Sequence, residues 1–224
     1  MRYMFLIYLD EHASEARSPA ERAAAVAAHA PYIEMLRRNR RYAASDALAP
    51  ARSARTLRGA GGKPVATQGP FAESREQLGG YYIVDAPDLD EAIRLASQNP
   101  ALATVGVAIE IRPSLAGVAE TPGAGDRFLL AVYRDGELDA DAWTAFVDAL
   151  RGRLEAAELL APAGSATTMR LADDKTALAD GPFADTRAQI AACAVVRAAD
   201  LDDAVALAAR CGGGIEVRAI RATL

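Results

Sequence analysis

The chain has 224 residues and a net charge of -5, and 51% of its residues are hydrophobic and 25% charged. This composition is typical of a globular protein and argues against a disordered, collagenous or low-complexity chain. A phosphate-binding face needs an excess of basic residues, so the acidic balance gives no reason to expect a nucleic-acid partner or an anionic membrane.

Cysteine usage and hydropathy restrict the class of protein further. The two cysteines, Cys193 and Cys211, are too few for a disulfide framework, and no Cys/His cluster has the spacing of zinc ligands, so we predict no metal site. The apolar run before Asp10 is too short for the core of a signal peptide or for a membrane-spanning helix. We therefore expect a cytoplasmic protein without a membrane partner.

The elements predicted in chain order form one pattern. An apolar strand at 4–9 precedes a helix that begins at Ser18, because Ser18 and Glu21 have capping-box spacing and Pro19 takes the first helical position. The helix runs to about residue 39, and Pro31 must kink or restart it. Next come strands at 42–48, 55–58 and 64–68, a turn at 69–70, a strand at 81–84, a helix at 88–98 and a strand at 107–111. This order is that of the split βαβ unit of a ferredoxin-like α+β domain.

The chain also repeats itself. Leu48-Ala49-Pro50-Ala51 recurs as Leu160-Ala161-Pro162-Ala163, and Gly69-Pro70-Phe71-Ala72 recurs as Gly181-Pro182-Phe183-Ala184. We therefore predict a first copy at 1–114, a linker of small and polar residues at 115–126 and a shortened second copy at 127–224. A ferredoxin-like sheet has helices on one face only, and the second copy can cover the other face in an intramolecular pseudo-dimer. A further homodimer is compatible with this arrangement.

The repeated turn carries a resemblance to a known family. It reads Asp180-Gly181-Pro182-Phe183 in the second copy and Gln68-Gly69-Pro70-Phe71 in the first. With Asp88-Leu89-Asp90 and Ile109-Glu110-Ile111-Arg112-Pro113, it closely resembles the DGPF-motif family of YCII-related domains. The resemblance implies a dimeric α+β barrel built from two ferredoxin-like units, with a pocket in each. It also implies an unsettled activity, since some members are thought to be enzymes and others to accompany alternative sigma factors.

Two residues are candidates for acid/base chemistry. His29 lies where YCII-related proteins tend to carry a histidine, and an imidazole that titrates near neutrality is a natural proton carrier. The aspartate that these families place about ten residues later is absent from the arginine-rich stretch at 37–41, so Asp46, Glu73 or Asp180 would have to supply the carboxylate. We name His29 and Asp180 as candidate catalytic residues. A partly buried helix histidine and a purely structural turn at Asp180 remain the alternatives.

Four further residues are candidate ligand-binding residues, namely Phe71, Arg75, Tyr81 and Tyr82. Tyr81 and Tyr82 alternate across a strand, so one ring faces the helices and the other faces the space between the sheets. We expect one to pack in the core and the other to line a pocket. The pairs Glu110/Arg112 and Glu216/Arg218 lie two residues apart on a strand face, which favours structural ion pairs over catalysis.

Three functions are compatible with these residues. The first is an enzyme that acts on a small organic molecule by general acid/base chemistry in an inter-sheet pocket. The second is a non-catalytic module that binds a ligand or regulates a partner such as an alternative sigma factor. The third, a haem-type role with His29 as axial ligand, has no second motif to support it, so we predict no cofactor.

Overall fold

The computed structural model describes residues 1–59, 64–72, 74–104, 106–121, 123–172 and 175–221, and these form a mixed α/β structure around a large antiparallel sheet. The strands are β1 (Arg2–Asp10), β2 (Tyr42–Ala47), β3 (Arg55–Arg58), β4 (Val65–Gln68), β5 (Glu76–Asp85), β6 (Ala108–Ala119), β7 (Asp126–Arg134), β8 (Leu154–Leu160), β9 (Thr167–Ala172), β10 (Lys175–Asp180), β11 (Gln189–Ala198) and β12 (Ile215–Ala219). The α-helices are α1 (Glu11–Glu15), α2 (Pro19–Ala27), α3 (His29–Arg38), α4 (Leu89–Ala96), α5 (Ala140–Ala149) and α6 (Leu201–Ala208). Glu73, one of the residues considered as a partner for His29, lies outside the described residues.

The two halves of the chain have the same strand order. In the N-terminal half, which carries β1 to β6, the order is β2-β5-β1-β6; in the C-terminal half, which carries β7 to β12, it is β8-β11-β7-β12. This is the ferredoxin-like α+β arrangement that the sequence predicts. No helix within the described ranges is long and apolar enough to cross a membrane.

A hairpin of each half pairs with a strand of the other half. The β3–β4 hairpin of the N-terminal half pairs with β12, where Leu57 lies opposite Ile215. The β9–β10 hairpin of the C-terminal half pairs with β6, where Met169 lies opposite Ile109. As a result Leu57 is buried in the helix-side core of the C-terminal half, and Met169 is buried in that of the N-terminal half.

A third core lies between the halves. Along β1, Tyr3, Phe5 and Ile7 pack under the helices, whereas Met4 and Leu6 pack against Leu129 and Val195 of the C-terminal half. Alternating side chains of one strand point to opposite faces, so burial of both faces explains the continuous apolar run of β1. The halves therefore share one apolar layer.

The structure corrects the predicted linker. Residues 115–119 continue strand β6 and pair with β8, with Ala116 opposite Leu159 and Val118 opposite Ala157. The backbone groups of these residues form hydrogen bonds with β8. This pairing stabilises a strand even though small residues are typical of a linker. The connection between the halves is therefore short, running from residue 120 to residue 125 between β6 and β7.

The predicted first helix is interrupted as Pro31 requires. Ser18 and Glu21 form the expected capping box, and α2 ends at Ala27 before α3 begins at His29. Pro31 has no N–H to donate to the carbonyl four residues earlier, so the hydrogen-bonded ladder restarts there. A further short helix, α1, was not predicted; Asp10 caps it by accepting a hydrogen bond from the Ala13 backbone N–H at 3.2 Å.

Candidate functional site

His29 contacts a buried tyrosine from the sheet. Its Nδ1 lies 2.6 Å from the Tyr82 hydroxyl oxygen, and the two rings stack at a centroid distance of 5.9 Å. His29 is half-buried at the start of α3, whereas Tyr82, on β5, is only 4% exposed. The restart of the helix beside Pro31 thus brings an imidazole onto the helix-facing side of the sheet.

The surroundings of this pair are aromatic rather than charged. Tyr32, one turn further along α3, packs edge-on against Tyr82 at 5.2 Å and donates its hydroxyl hydrogen to the Leu95 carbonyl at 3.0 Å. Asn99, which is 2% exposed, leaves its Nδ2 without a hydrogen-bond partner among the described residues. The N-terminal half therefore holds an imidazole, a phenol and an unsatisfied amide donor around one core.

Burial controls the protonation of the pair. Burial lowers the pKa of His29, because desolvation disfavours the imidazolium. Burial also raises the pKa of Tyr82, with smaller contributions from Tyr32 and Tyr42. At neutral pH both groups are therefore uncharged, and they share a hydrogen bond in which either can be the donor.

Tyr81 faces the other side of the sheet. It is buried between the halves, and its hydroxyl donates to the Asp46 carboxylate. Arg127 of the C-terminal half donates to both oxygens of Asp46, at 2.5 Å and 2.9 Å. Burial, and then the charge of Asp46, raises the pKa of Tyr81 well above its ordinary value. Asp46 therefore accepts hydrogen bonds from Tyr81 and Arg127, and it forms no hydrogen bond or ion pair with His29.

A substrate pocket was predicted between the two sheets, and the structure shows a small cavity there. The cavity there, lined by Met4, Tyr81 and Cys193 among others, has a volume of about 10 Å³. This is room for about one water molecule. Side chains from both halves pack across this layer, and this cavity is too small for a substrate.

The Gly-Pro-Phe turn of each half docks on the opposite half. Phe71 stacks on Tyr133 with ring centroids 4.2 Å apart, and its backbone N–H donates to Glu216 at 2.7 Å. The second turn repeats this contact, since Phe183 stacks on Tyr8 at 4.6 Å and its N–H donates to Glu110 at 2.9 Å. Phe71 is thus engaged within the chain, and the turn has a structural role.

The ion pairs that hold these carboxylates are the predicted ones. Arg112 donates to Glu110, and Arg218 donates to Glu216, each at 2.9 Å. The arginines also reach across the junction, Arg112 to the Ala161 carbonyl and Arg218 to the Ala49 carbonyl. The predicted pairing within each strand is therefore present, and both arginines also bind backbone carbonyls across the junction.

Asp180 lies apart from His29. It is the last residue of β10, is exposed, and forms neither a hydrogen bond nor an ion pair with His29. The turn that follows needs Gly181 at φ 96°, and Thr168 donates its hydroxyl hydrogen to the Gly181 carbonyl at 2.8 Å. Gln68 takes the same place at the end of β4. The two predicted catalytic residues therefore form no dyad in this structure.

Arg75 is exposed and forms an ion pair with Asp10 at 2.7 Å. The hydrogen bond from Arg75, followed by that from the Ala13 backbone, lowers the pKa of Asp10. Arg75 thus supports the N-cap of α1. Among the described residues no group of three or more His, Cys, Asp or Glu side chains is placed to hold a metal ion.

Two polar residues of these clusters, Arg127 and Asn99, are not indicated by any sequence motif. An arginine directly before the apolar run Phe128-Leu129-Leu130 was the available signal for Arg127, and the Asn99-Pro100 pair that ends a helix was the signal for Asn99.

Comparison with known proteins gives the family. Residues 1–114, about half of the chain, match the YCII-related domain, and the chain therefore belongs to that family. A curated relative, an uncharacterised protein of Rhizobium meliloti (strain 1021), is 36% identical over 95 residues, which cover 41% of this chain and 60% of the relative. The chain thus matches less than two thirds of that relative's length.

Two solved structures are more distant. One belongs to a protein proposed as a chlorite dismutase, with a TM-score of 0.43, 8% identity, and coverage of 99% of this chain and 95% of that chain. The other is a heme-binding protein from Thermus thermophilus, with a TM-score of 0.42, 9% identity, and coverage of 98% of this chain and 90% of that chain. Both TM-scores are below 0.5, so neither fold nor ligand is inferred from them.

Proposed function

We propose that this YCII-related protein catalyses proton transfer on a small organic molecule, with His29 as the base and Tyr82 as its positioning residue. The contact of 2.6 Å between Nδ1 of His29 and the Tyr82 hydroxyl is the observation that carries the proposal. The lowered pKa keeps the imidazole unprotonated at neutral pH, which is the state a base needs.

The proposed role of Tyr82 replaces that of a carboxylate. When Nδ1–H of His29 donates to the Tyr82 oxygen, Nε2 keeps its lone pair and the ring is held in one orientation. A substrate C–H or O–H proton then passes to Nε2, its electron pair stays on the substrate, and Nε2 returns the proton to a second atom of the same molecule. This rearrangement needs no oxidant, reductant or second reactant.

We also infer that the halves are tandem copies of one unit and form an intramolecular dimeric α+β barrel. The matching strand orders and the two-way docking of Phe71 on Glu216 and of Phe183 on Glu110 support this inference. The first copy then extends to Ala119, the end of β6.

Deuterium incorporation tests the proposed function directly. The protein is incubated in D₂O with a pool of small carbonyl compounds, and mass spectrometry follows exchange into each compound. We expect exchange in at least one compound, and a reduction of about 100-fold or more in the His29→Gln variant, because general base catalysis contributes about 10² to 10⁴ in rate. Tyr82→Phe should reduce the rate while leaving the fold intact.

The matched control is His12→Gln, since His12 is exposed in α1 and is the only other histidine. Asp180→Asn tests the remaining predicted catalytic residue, and we expect its rate to equal that of the wild type. Equal exchange by wild type and His29→Gln would contradict the proposal. Ligand binding without exchange would favour a non-catalytic binding or regulatory module.

A further inference from the structure

A groove of about 340 Å³ lies on the C-terminal half. It runs between α5 and the 3₁₀ turn at Ala209–Cys211 that follows α6. Its apolar wall includes Leu138, Ala145 and Phe146, and its polar side is formed by Arg134, Arg210 and Cys211. The volume falls within the range of small-molecule sites, which is about 300 to 1,000 Å³.

The groove is open because the C-terminal half has fewer helices. Three helices connect β1 to β2 in the N-terminal half, whereas α5 alone connects β7 to β8. In the N-terminal half, Arg17 between α1 and α2 reaches Thr104, just after the 3₁₀ turn that follows α4, at 3.4 Å. The C-terminal half has no equivalent of this additional chain between β7 and β8.

The charges on the groove are positive and unneutralised. Arg134 uses Nη1 for the carbonyls of Tyr133 and Gly213, at 2.8 Å and 3.0 Å, which leaves Nη2 facing the Cys211 sulfur at 3.7 Å. Arg210 donates through Nη1 to the Ala149 carbonyl at 2.8 Å. Within the described part of the chain, no carboxylate forms an ion pair with either guanidinium. Both arginines therefore have N–H donors to spare beside an apolar wall.

We propose that this groove binds a small amphipathic carboxylate, such as the anion of a medium-chain fatty acid. The guanidinium groups of Arg134 and Arg210 would hold the carboxylate, because their planar forks match its geometry and charge. The hydrocarbon chain would lie along Phe146, Leu138 and Ala145, where it leaves water. This site is separate from the His29–Tyr82 pair and does not depend on the proposed proton transfer.

The protein carries its own reporter for this site. Trp143 is the only tryptophan, and its ring centroid lies 5.6 Å from that of Phe146. Titration of the full chain with octanoate should change Trp143 fluorescence in a saturable way, and octanol and octylamine should bind at least about tenfold more weakly, since they lack the carboxylate. Arg210→Gln should weaken octanoate binding by about tenfold for the same reason.

A steric variant tests the apolar wall. Ala145→Leu fills the groove from an exposed position of α5 and should abolish the fluorescence change, whereas Thr144→Leu, the exposed neighbour that does not line the groove, should leave it unchanged. Circular dichroism checks that both variants fold. Equal octanoate binding by these two variants, or equal binding of octanol and octanoate, would overturn the proposal.

Cysteine alkylation gives an independent readout. Cys211 is half-buried at the groove, whereas Cys193 is buried between the halves, and burial raises the pKa of Cys193 to about 12. Burial raises the pKa of Cys211 as well, but its sulfur is the more accessible of the two. N-ethylmaleimide at about pH 8.5 should therefore label Cys211 first, and saturating octanoate should slow that labelling severalfold. Unchanged labelling would overturn the proposal. A self-associated chain in which Cys211 is unreactive and octanoate has no effect would assign this face to a second copy instead.

Discussion

Arg218→Met is expected to lower the free energy of unfolding by about 3 to 5 kcal/mol, the usual cost of leaving one buried charge without its partner. Arg218 is 1% exposed and donates to Glu216 at 2.9 Å, to the Ala49 carbonyl at 2.7 Å and to the Leu78 carbonyl at 2.9 Å. The substitution leaves the Glu216 carboxylate buried with only the Phe71 backbone N–H as a donor. Urea denaturation followed by circular dichroism measures the change.

The matched control for this prediction is Arg221→Met. Arg221 lies just beyond the same strand and is exposed, so its side chain has little buried structure to disturb. We expect a change below about 0.5 kcal/mol there. If Arg218→Met and Arg221→Met unfold at the same urea concentration, the junction does not depend on the buried ion pair.

Separating the halves is expected to abolish folding of each one. A chain of residues 1–121 would expose the inter-sheet faces of Met4, Leu6 and Tyr81, and its β3–β4 hairpin would lose β12. A chain of residues 123–224 would lose β6, the strand that its β9–β10 hairpin requires. We expect neither half to unfold cooperatively alone, and an equimolar mixture to regain the thermal transition.

The control separates the effect of the cut from the loss of the partner. A protease site placed between residues 121 and 123 of the full chain allows cleavage after folding, and the cleaved protein should keep its transition and elute as one species. Two halves that melt cooperatively as separate monomers would contradict the inferred intramolecular dimer, in which a hairpin of each half pairs with a strand of the other.

Local signals predicted most of the secondary structure. The Ser18–Glu21 capping box, the interruption at Pro31 and the helix predicted at 88–98 all depend on residues within a few positions, and the structure contains each of them, the last as α4. The repeat predicted the common strand order, because the same elements recur in each half.

Nonlocal pairing explains what the sequence could not provide. No local pattern indicates that β3 pairs with β12 or that residues 115–119 extend β6 along β8, since register between distant strands is set by the whole fold. The His29–Tyr82 contact is of the same kind, because its residues lie 53 positions apart. Likewise, the docking of the Gly-Pro-Phe turns depends on carboxylates from the other half.

The lowered pKa of His29 has a consequence for stability. The folded protein binds the imidazole proton of His29 less tightly than the unfolded chain does. The folded state therefore becomes more stable as the pH rises from the lowered pKa of His29 to about 6.5, the ordinary histidine value. Stability attributable to His29 is therefore fully present above about pH 6.5 and is lost as pH falls through that window. His29→Gln should remove this part of the pH dependence.

The most direct test of the His29 assignment is a proton NMR titration of the two histidines between about pH 5 and 9, the range in which imidazoles titrate. His29→Gln identifies the resonance, and the urea-unfolded chain gives the reference. We predict that His29 titrates below its unfolded value and that its resonance shifts when the compound that exchanges deuterium is added. A His29 resonance that titrates as in the unfolded chain and does not respond to that compound would rule out His29 as the proposed base.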